Sequence, residues 1–190
     1  MKTKIRTHIQ NCITCIAFSK SSGKVEGFIY GILKGKFPFE AVHVDHLGPI
    51  DRTNTTKKYV FIVVDAFTKY VKLYAIKTTT TRETIGCLKN YFQTFSRPKN
   101  LISDRGTSFT SKEFEEFMSE TNVKHIKVAT GSPQANGQVE RYNRMVTLAL
   151  GKLYTGKDWH KSLDEIEFAI NNTVNIIERQ EKFPANYYMR

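Results

Sequence analysis

The sequence is poor in cysteine and acidic residues and has no long apolar run. Its three cysteines, Cys12, Cys15 and Cys87, are too few for a disulfide framework. This cysteine usage is typical of the reducing cytosol or nucleus. No stretch approaches the roughly 20 apolar residues of a membrane span. Basic residues near the N-terminus are not followed by an apolar segment, so the sequence predicts no secretory signal peptide.

What the sequence has instead is a large excess of positive charge. It contains 29 Lys and Arg against 18 Asp and Glu, a formal net charge of +11. Residues 1–40 hold seven basic and two acidic residues, the densest excess in the chain. Because no basic amphipathic helix accompanies this charge, a nucleic acid is favoured over a membrane as the partner. A soluble basic protein without a polyanionic partner is the alternative that charge alone leaves open.

The order of periodic segments predicts one α/β layered domain with a mixed sheet. Three segments have the alternating or continuously apolar character of strands: FEAVHVDHLG, KYVFIVVDAF and KYVKLYAI. A helix, a short strand, a second helix and another short strand are predicted next, at 80–96, 99–103, 110–121 and 124–129. Two further helices follow, and their apolar stripes start at Val139 and Trp159. This succession of elements is typical of an α/β layered domain.

Three carboxylates lie at positions that indicate a metal-binding site. Asp45 lies within the first strand, Asp104 ends the short strand LIS, and Glu140 lies on the polar face of the helix that begins near Gly137. Clustered carboxylates suit hard divalent cations, and phosphate-transfer enzymes use such acids to hold two ions about 3.5–4 Å apart. A solvated helix face is the alternative for Glu140. Asp65 ends the strand FIVVD and fits the metal argument equally, but a salt bridge or a turn cap also suits it.

Four motifs occur in order along the chain. They are HVDHLGP, VVDAFTKYVKLYAIK, ISDRGTSFTS and ATGSPQANGQVERYNR, and 35 residues separate Asp104 from Glu140. Together they resemble the catalytic core of retroviral and LTR-retrotransposon integrases of the gypsy type, whose last two acids have this spacing. The resemblance covers residues 38–190 and implies an RNase H-like fold, a five-stranded mixed sheet flanked by helices. It also implies that Asp65 is not a metal ligand.

By this resemblance, Asp45, Asp104 and Glu140 are the catalytic acids and bind two Mg²⁺ (or Mn²⁺) ions. The implied function is DNA integration by a polynucleotidyl transferase and endonuclease, which processes DNA 3′ ends and joins them to target DNA. The implied partners are DNA and further copies of the chain, in a dimer or larger homo-oligomer. The implied location is the nucleus, with the cytoplasm as the other reducing compartment. His43 and His46, which flank Asp45, are expected to be strand-face residues rather than ligands.

Two other functions remain open at this point. A non-catalytic nucleic-acid-binding remnant, or a domesticated fragment of an integrase, would keep the fold and the charge without integration. An RNase H that acts on RNA–DNA hybrids would share the fold, but the motif before Glu140 argues against it.

Small and polar residues dominate the segment before Glu140. Gly131 and Gly137 relax the backbone there, which predicts a loop that brings Glu140 to the metals when DNA is bound. An ordinary surface loop is the alternative. The predicted DNA contacts are Asn136, Gln138, Asn143 and Arg144, since such side chains bond phosphates and base edges.

The motif CITC supplies Cys12 and Cys15, half of a typical four-ligand zinc site. The integrase resemblance implies that residues 1–37 are a basic remnant of a zinc-binding module, followed by the catalytic core. Only His8 lies near the cysteine pair, so the zinc site is expected to be incomplete and the thiols free and reduced. The chain is also expected to stop before a further C-terminal DNA-binding module.

Overall fold

The protein is built around a five-stranded mixed sheet. The computed structural model describes residues 36–50, 56–128, 133–153 and 159–172, with the side chains of those ranges except 133–138 and 153. The strands are β1 (Ala41–Leu47), β2 (Tyr59–Asp65), β3 (Val71–Ile76), β4 (Asn100–Ser103) and β5 (Lys124–Lys127). They lie in the order β3-β2-β1-β4-β5. The pairs β1–β2 and β2–β3 are antiparallel, whereas β1–β4 and β4–β5 are parallel, so the predicted mixed sheet is confirmed.

Helices cover both faces of this sheet. They are α1 (Thr81–Thr94), α2 (Thr107–Thr110), α3 (Lys112–Glu120), α4 (Pro133–Leu153) and α5 (Leu163–Asn172), with a 3₁₀ turn at Trp159–Ser162. Alternation along β2 sends Phe61 and Val63 to the core under α1, α2 and α3, and Ile62 and Val64 to the core under α4 and α5. Each face therefore has its own apolar core. No helix of the described ranges is long and apolar enough to cross a membrane.

α5 covers the edge of the sheet at β3. The Glu167 carboxylate accepts hydrogen bonds from the Leu73 amide at 2.8 Å and from Lys72 Nζ at 2.9 Å. One turn further on, the Asn171 side chain bonds both the amide and the carbonyl of Val71, each at 2.8 Å. These contacts satisfy backbone groups that an edge strand leaves unpaired, and they fix α5 against the α4 face of the sheet.

Candidate active site

The three predicted acids lie on neighbouring elements. Asp45 is on β1, and Asp104 directly follows β4. These strands are parallel neighbours with His43 opposite Ile102, so continuing the register by two residues brings Asp104 opposite Asp45. Glu140 is in the first half of α4, which packs on β1 and β2. The fold thus directs all three acids toward one end of the β1–β4 pair.

Asp45 is partly buried, and both of its carboxylate oxygens accept hydrogen bonds. Oδ1 accepts from the His46 amide at 2.8 Å, and Oδ2 accepts from Asn143 Nδ2 at 2.7 Å. Burial raises the pKa of Asp45 above its ordinary value, and the negative charges of Asp104 and Glu140 raise it further, although the two hydrogen bonds oppose the shift. Burial is therefore the main reason that the charged form of Asp45 is disfavoured, and the two other acids add to it.

Asp104 lies in a tight turn between β4 and α2. Its Oδ1 accepts the Gly106 amide at 2.9 Å, and a Cβ at position 106 would lie 3.0 Å from that oxygen. Glycine therefore leaves the carboxylate room to occupy this position. The Ser103 hydroxyl anchors the turn, because it donates to the Asp104 carbonyl at 2.8 Å and lies 2.8 Å from His125 Nε2.

Glu140 is exposed on the polar side of α4. Val139, Tyr142 and Val146 of the same helix are buried, as the apolar stripe predicted. Arg144, one turn further along, is also exposed. The carboxylate and the guanidinium therefore both face outward, where a large polyanion has access.

The donor set suits a hard divalent cation. Carboxylate and amide oxygens are ligands that Mg²⁺ accepts, and the buried Oδ1 of Asn143 has no hydrogen-bond partner. Within the described ranges, however, no three His, Cys, Asp or Glu side chains lie close enough together to hold one ion. Like-charged carboxylates repel one another. The common metal site of Asp45, Asp104 and Glu140 therefore stays a prediction.

Asp65, the rival carboxylate, is a turn cap. It is fully buried, and its Oδ1 accepts the Phe39 amide at 2.9 Å. Its Oδ2 accepts both the amide and the hydroxyl of Thr68, at 2.7 and 2.5 Å. Asp65 pairs with Val42, so it lies on the opposite face of the sheet from Asp45. Of the interpretations that the sequence left open for Asp65, the structure selects the turn cap.

The predicted DNA contacts have different surroundings. Arg144 is exposed, whereas Asn143 is bonded to Asp45, a contact that sequence analysis did not predict. Its position three residues after Glu140, on the same helix face, was the available signal. Asn136 and Gln138 lie in the first turns of α4, and their side chains are outside the described ones.

The predictions for the N-terminal segment lie outside the described residues. Residues 1–35 include Cys12 and Cys15, so the incomplete zinc site and the domain boundary after residue 37 stay predictions. Cys87 lies on α1 as a free, partly buried thiol.

Both histidines beside Asp45 are strand-face residues, as expected. His43 is buried, and neither of its ring nitrogens has a hydrogen-bond partner. His46 bonds Thr84 Oγ1 through Nε2 at 3.1 Å and stacks on Phe109, with ring centroids 4.9 Å apart. Burial lowers the pKa of each ring to about 4, so both are neutral at pH 7.

We expect Asp45→Asn to raise the melting temperature in metal-free buffer at pH 7. Because folding raises the pKa of Asp45, its ionisation destabilises the folded state. This destabilisation is absent below the unfolded pKa of about 4, grows as the pH rises toward the folded pKa, and is complete above it. In the variant, the Asn143 side-chain amide can rotate so that its oxygen accepts a hydrogen bond from the new amide at position 45.

Thermal unfolding in EDTA between pH 4 and 8 tests this expectation. The increase in the melting temperature of Asp45→Asn should grow with pH and vanish near pH 4. The control Asp164→Asn, which changes an exposed acid on α5, should show no such increase. A melting temperature at pH 7 equal to or below that of the unmodified chain would contradict it.

The chain is similar in sequence and in fold to known proteins. The integrase core domain family matches residues 37–133, about half of the chain. The Pro-Pol polyprotein of feline foamy virus is 35% identical over 138 residues. That match covers 72% of this chain but only 12% of the polyprotein, so the chain corresponds to a small part of this relative.

Two solved structures have the same fold. The HTLV-2 integrase catalytic core domain in complex with magnesium, in its dimeric form, has a TM-score of 0.61 and 22% identity, covering 74% of this chain and 91% of that one. The simian T-cell lymphotropic virus intasome in complex with PP2A regulatory subunit B56 gamma has a TM-score of 0.66 and 20% identity, covering 92% and 62%. The predicted RNase H-like fold is therefore confirmed.

Proposed function

Because this chain belongs to the integrase core domain family, we propose that it is a polynucleotidyl transferase of DNA integration. It cuts DNA near a 3′ end and joins the freed 3′-OH to a target strand. The observation that carries this proposal is the arrangement of the acids. Asp45 and Asp104 lie on or directly after neighbouring parallel strands, and Glu140 on the covering helix is close enough to influence the pKa of Asp45.

In this proposal, Asp45, Asp104 and Glu140 would hold two Mg²⁺ (or Mn²⁺) ions. Metal ions held in this way lower the pKa of bound water and stabilise charge on the attacked phosphate. The chain itself orients the ligands, because the Gly106 amide holds Asp104 and two donors hold Asp45. The exposed Arg144 lies one turn from Glu140, where its guanidinium can bond a DNA phosphate through two N–H groups.

A groove that contains three basic side chains supports a nucleic-acid partner. It has a volume of about 680 Å³ and is lined by Lys58, Lys77 and Arg82 together with Thr78–Thr81, around the start of α1. α2, which follows Asp104, supplies the opposite wall. Cations and hydroxyls are the groups that bond DNA phosphates and position a duplex without reading its sequence.

We further propose that copies of the chain form a homo-oligomer on DNA in the nucleus, where chromosomal target DNA is found. The similar solved structures are a dimeric catalytic core and an intasome, which supports this part of the proposal.

A DNA-processing assay on the full 190-residue chain tests the function. A branched duplex with one strand already joined to a target presents the product of the reaction. With Mn²⁺, we expect the junction to be cut and the target strand resealed, and with EDTA we expect neither. Salt-dependent DNA binding without cutting or joining would overturn the proposal in favour of a non-catalytic remnant. Preferential cleavage of the RNA in an RNA–DNA hybrid would indicate RNase H activity instead.

A further inference from the structure

His125 on β5 and Ser103 at the end of β4 form a short chain of hydrogen bonds that ends at Asp104. The Ser103 hydroxyl lies 2.8 Å from His125 Nε2 and 2.8 Å from the Asp104 carbonyl oxygen. Because a carbonyl oxygen can only accept, the single hydroxyl proton of Ser103 is donated to Asp104. His125 Nε2 then carries the ring proton and donates it to the Ser103 oxygen. The two contacts together therefore fix the tautomer of His125.

The surroundings of the two side chains agree with this tautomer. Ser103 is fully buried, so bulk water does not supply other partners for its hydroxyl. Burial lowers the pKa of His125 to about 4, so the ring is neutral at pH 7 and carries one proton. If that proton were on Nδ1, Ser103 would have to donate to the ring. The oxygens of Ser103 and Asp104 would then lie 2.8 Å apart without a proton between them.

We propose that His125 is a positioning residue for the Asp104 carboxylate and acts through the Ser103 hydroxyl. The N–H of His125 holds the Ser103 oxygen where its proton reaches the Asp104 carbonyl, and this contact fixes the peptide that follows Asp104. The inference rests on the proposed function, because it takes Asp104 as a metal ligand. His125 lies in none of the four sequence motifs, so only the pairing of β4 with β5 brings it to this position.

Hydrogen bonds hold Asp104 both at its backbone and at its side chain. Its carbonyl accepts from Ser103, and its Oδ1 accepts the Gly106 amide at 2.9 Å. Among the described residues, Oδ2 accepts no hydrogen bond, so it is available to a metal ion. Without the Ser103 contact the turn could rotate, which would change the direction of Oδ2. Partners that orient metal ligands typically contribute about 10- to 100-fold to metal affinity.

Nitrogen NMR of the full chain in metal-free buffer at pH 7 tests the first step. The chemical shifts of the two ring nitrogens show which one carries the proton. The signals that are lost in His125→Gln identify His125 among the five histidines. We expect the proton on Nε2. A proton on Nδ1 would overturn the inference whether or not the chain binds metal.

Calorimetry of Mn²⁺ binding to the full chain tests the second step. His125→Phe keeps a ring against Phe114, whose centroid lies 5.1 Å from that of His125, but it removes the donor. Ser103→Ala removes the hydroxyl. Each variant should bind Mn²⁺ about tenfold more weakly. The double variant should bind no more weakly than either single one, because both changes interrupt the same chain of hydrogen bonds.

His125→Gln separates the hydrogen bond from the packing of the ring. Its amide N–H can replace Nε2–H, although the aromatic contact with Phe114 is lost. We therefore expect His125→Gln to bind Mn²⁺ more tightly than His125→Phe, even if its melting temperature is lower. The matched control is His160→Phe, which makes the same change in the 3₁₀ turn outside the sheet. This control should keep the Mn²⁺ affinity of the unmodified chain.

Three results of the binding experiment would overturn the inference while the proposed function stands. They are normal Mn²⁺ affinity in both His125→Phe and Ser103→Ala, losses that add in the double variant, and weaker binding by His125→Gln than by His125→Phe. The last result would make the ring a packing residue. An unmodified chain that binds no Mn²⁺, with or without DNA, would overturn the proposed function and the inference together, whichever tautomer is observed.

Discussion

Glu140→Gln should reduce strand cutting and joining by about 10³-fold or more, because Glu140 is a metal ligand in the proposed function. The loss of such a ligand removes several kcal/mol of transition-state stabilisation, and each ~1.4 kcal/mol is tenfold in rate. Glutamine keeps the size of the side chain but has no charge with which to hold the cation. Because Glu140 is exposed, the melting temperature should stay close to that of the unmodified chain. Product formation from the branched DNA in Mn²⁺ measures the effect.

Two controls separate the loss of chemistry from the loss of binding. Glu165→Gln makes the same chemical change at an exposed position of α5 and should leave the rate unchanged. DNA affinity of Glu140→Gln in EDTA should be equal to or slightly above that of the unmodified chain, because a negative charge near the phosphates is removed. A Glu140→Gln variant that cuts and joins at nearly the normal rate would contradict the role of Glu140.

Asp65→Ala should lower the free energy of unfolding by about 3 kcal/mol or more. The buried carboxylate accepts three hydrogen bonds, two from Thr68 and one from the Phe39 amide. A hydrogen bond to a charged group has a net contribution of about 1.5–3 kcal/mol to stability, and donors left unpaired in the interior add to the loss. For a chain of this size, each kcal/mol lowers the melting temperature by about 2–4 °C.

Denaturant unfolding of Asp65→Ala measures this loss directly. Asp164→Ala, at an exposed position, should stay within about 0.5 kcal/mol of the unmodified chain. A loss below about 1 kcal/mol for Asp65→Ala would contradict the turn-cap role, because it would mean that water or other groups satisfy the three donors equally well. Asp45→Asn is expected to change stability in the opposite direction in metal-free buffer. Two aspartates on neighbouring strands thus have opposite expected effects.

Most of the sheet could be predicted because strand patterns are local. The segment FEAVHVDHLG contains β1, and KYVFIVVDAF contains β2. The alternation of apolar and polar residues along a strand depends on neighbours two positions apart, which the sequence displays directly. The buried stripe of α4, including Val139 and Val146, was predictable for the same reason at helical spacing.

The difference between Asp45 and Asp65 could not be predicted from residue chemistry or spacing. Each is an aspartate in or at the end of an apolar strand, so their local patterns are alike. Their partners differ: Asp65 accepts from the turn immediately after it, whereas Asp45 accepts from Asn143, which is 98 residues away in sequence. Only the packing of α4 on β1 brings that amide to the carboxylate.

The sequence by itself determined the order of the elements, the apolar face of each, and the set of carboxylates that are candidates for binding a cation. These properties depend on residues a few positions apart and on the chemistry of single side chains. The tertiary structure decided which carboxylate caps a turn and which is bonded to a side-chain amide of α4 and influenced by the charges of two other acids. That choice depends on hydrogen bonds and charges between distant segments, which become neighbours only when parallel strands pair and a helix packs across them.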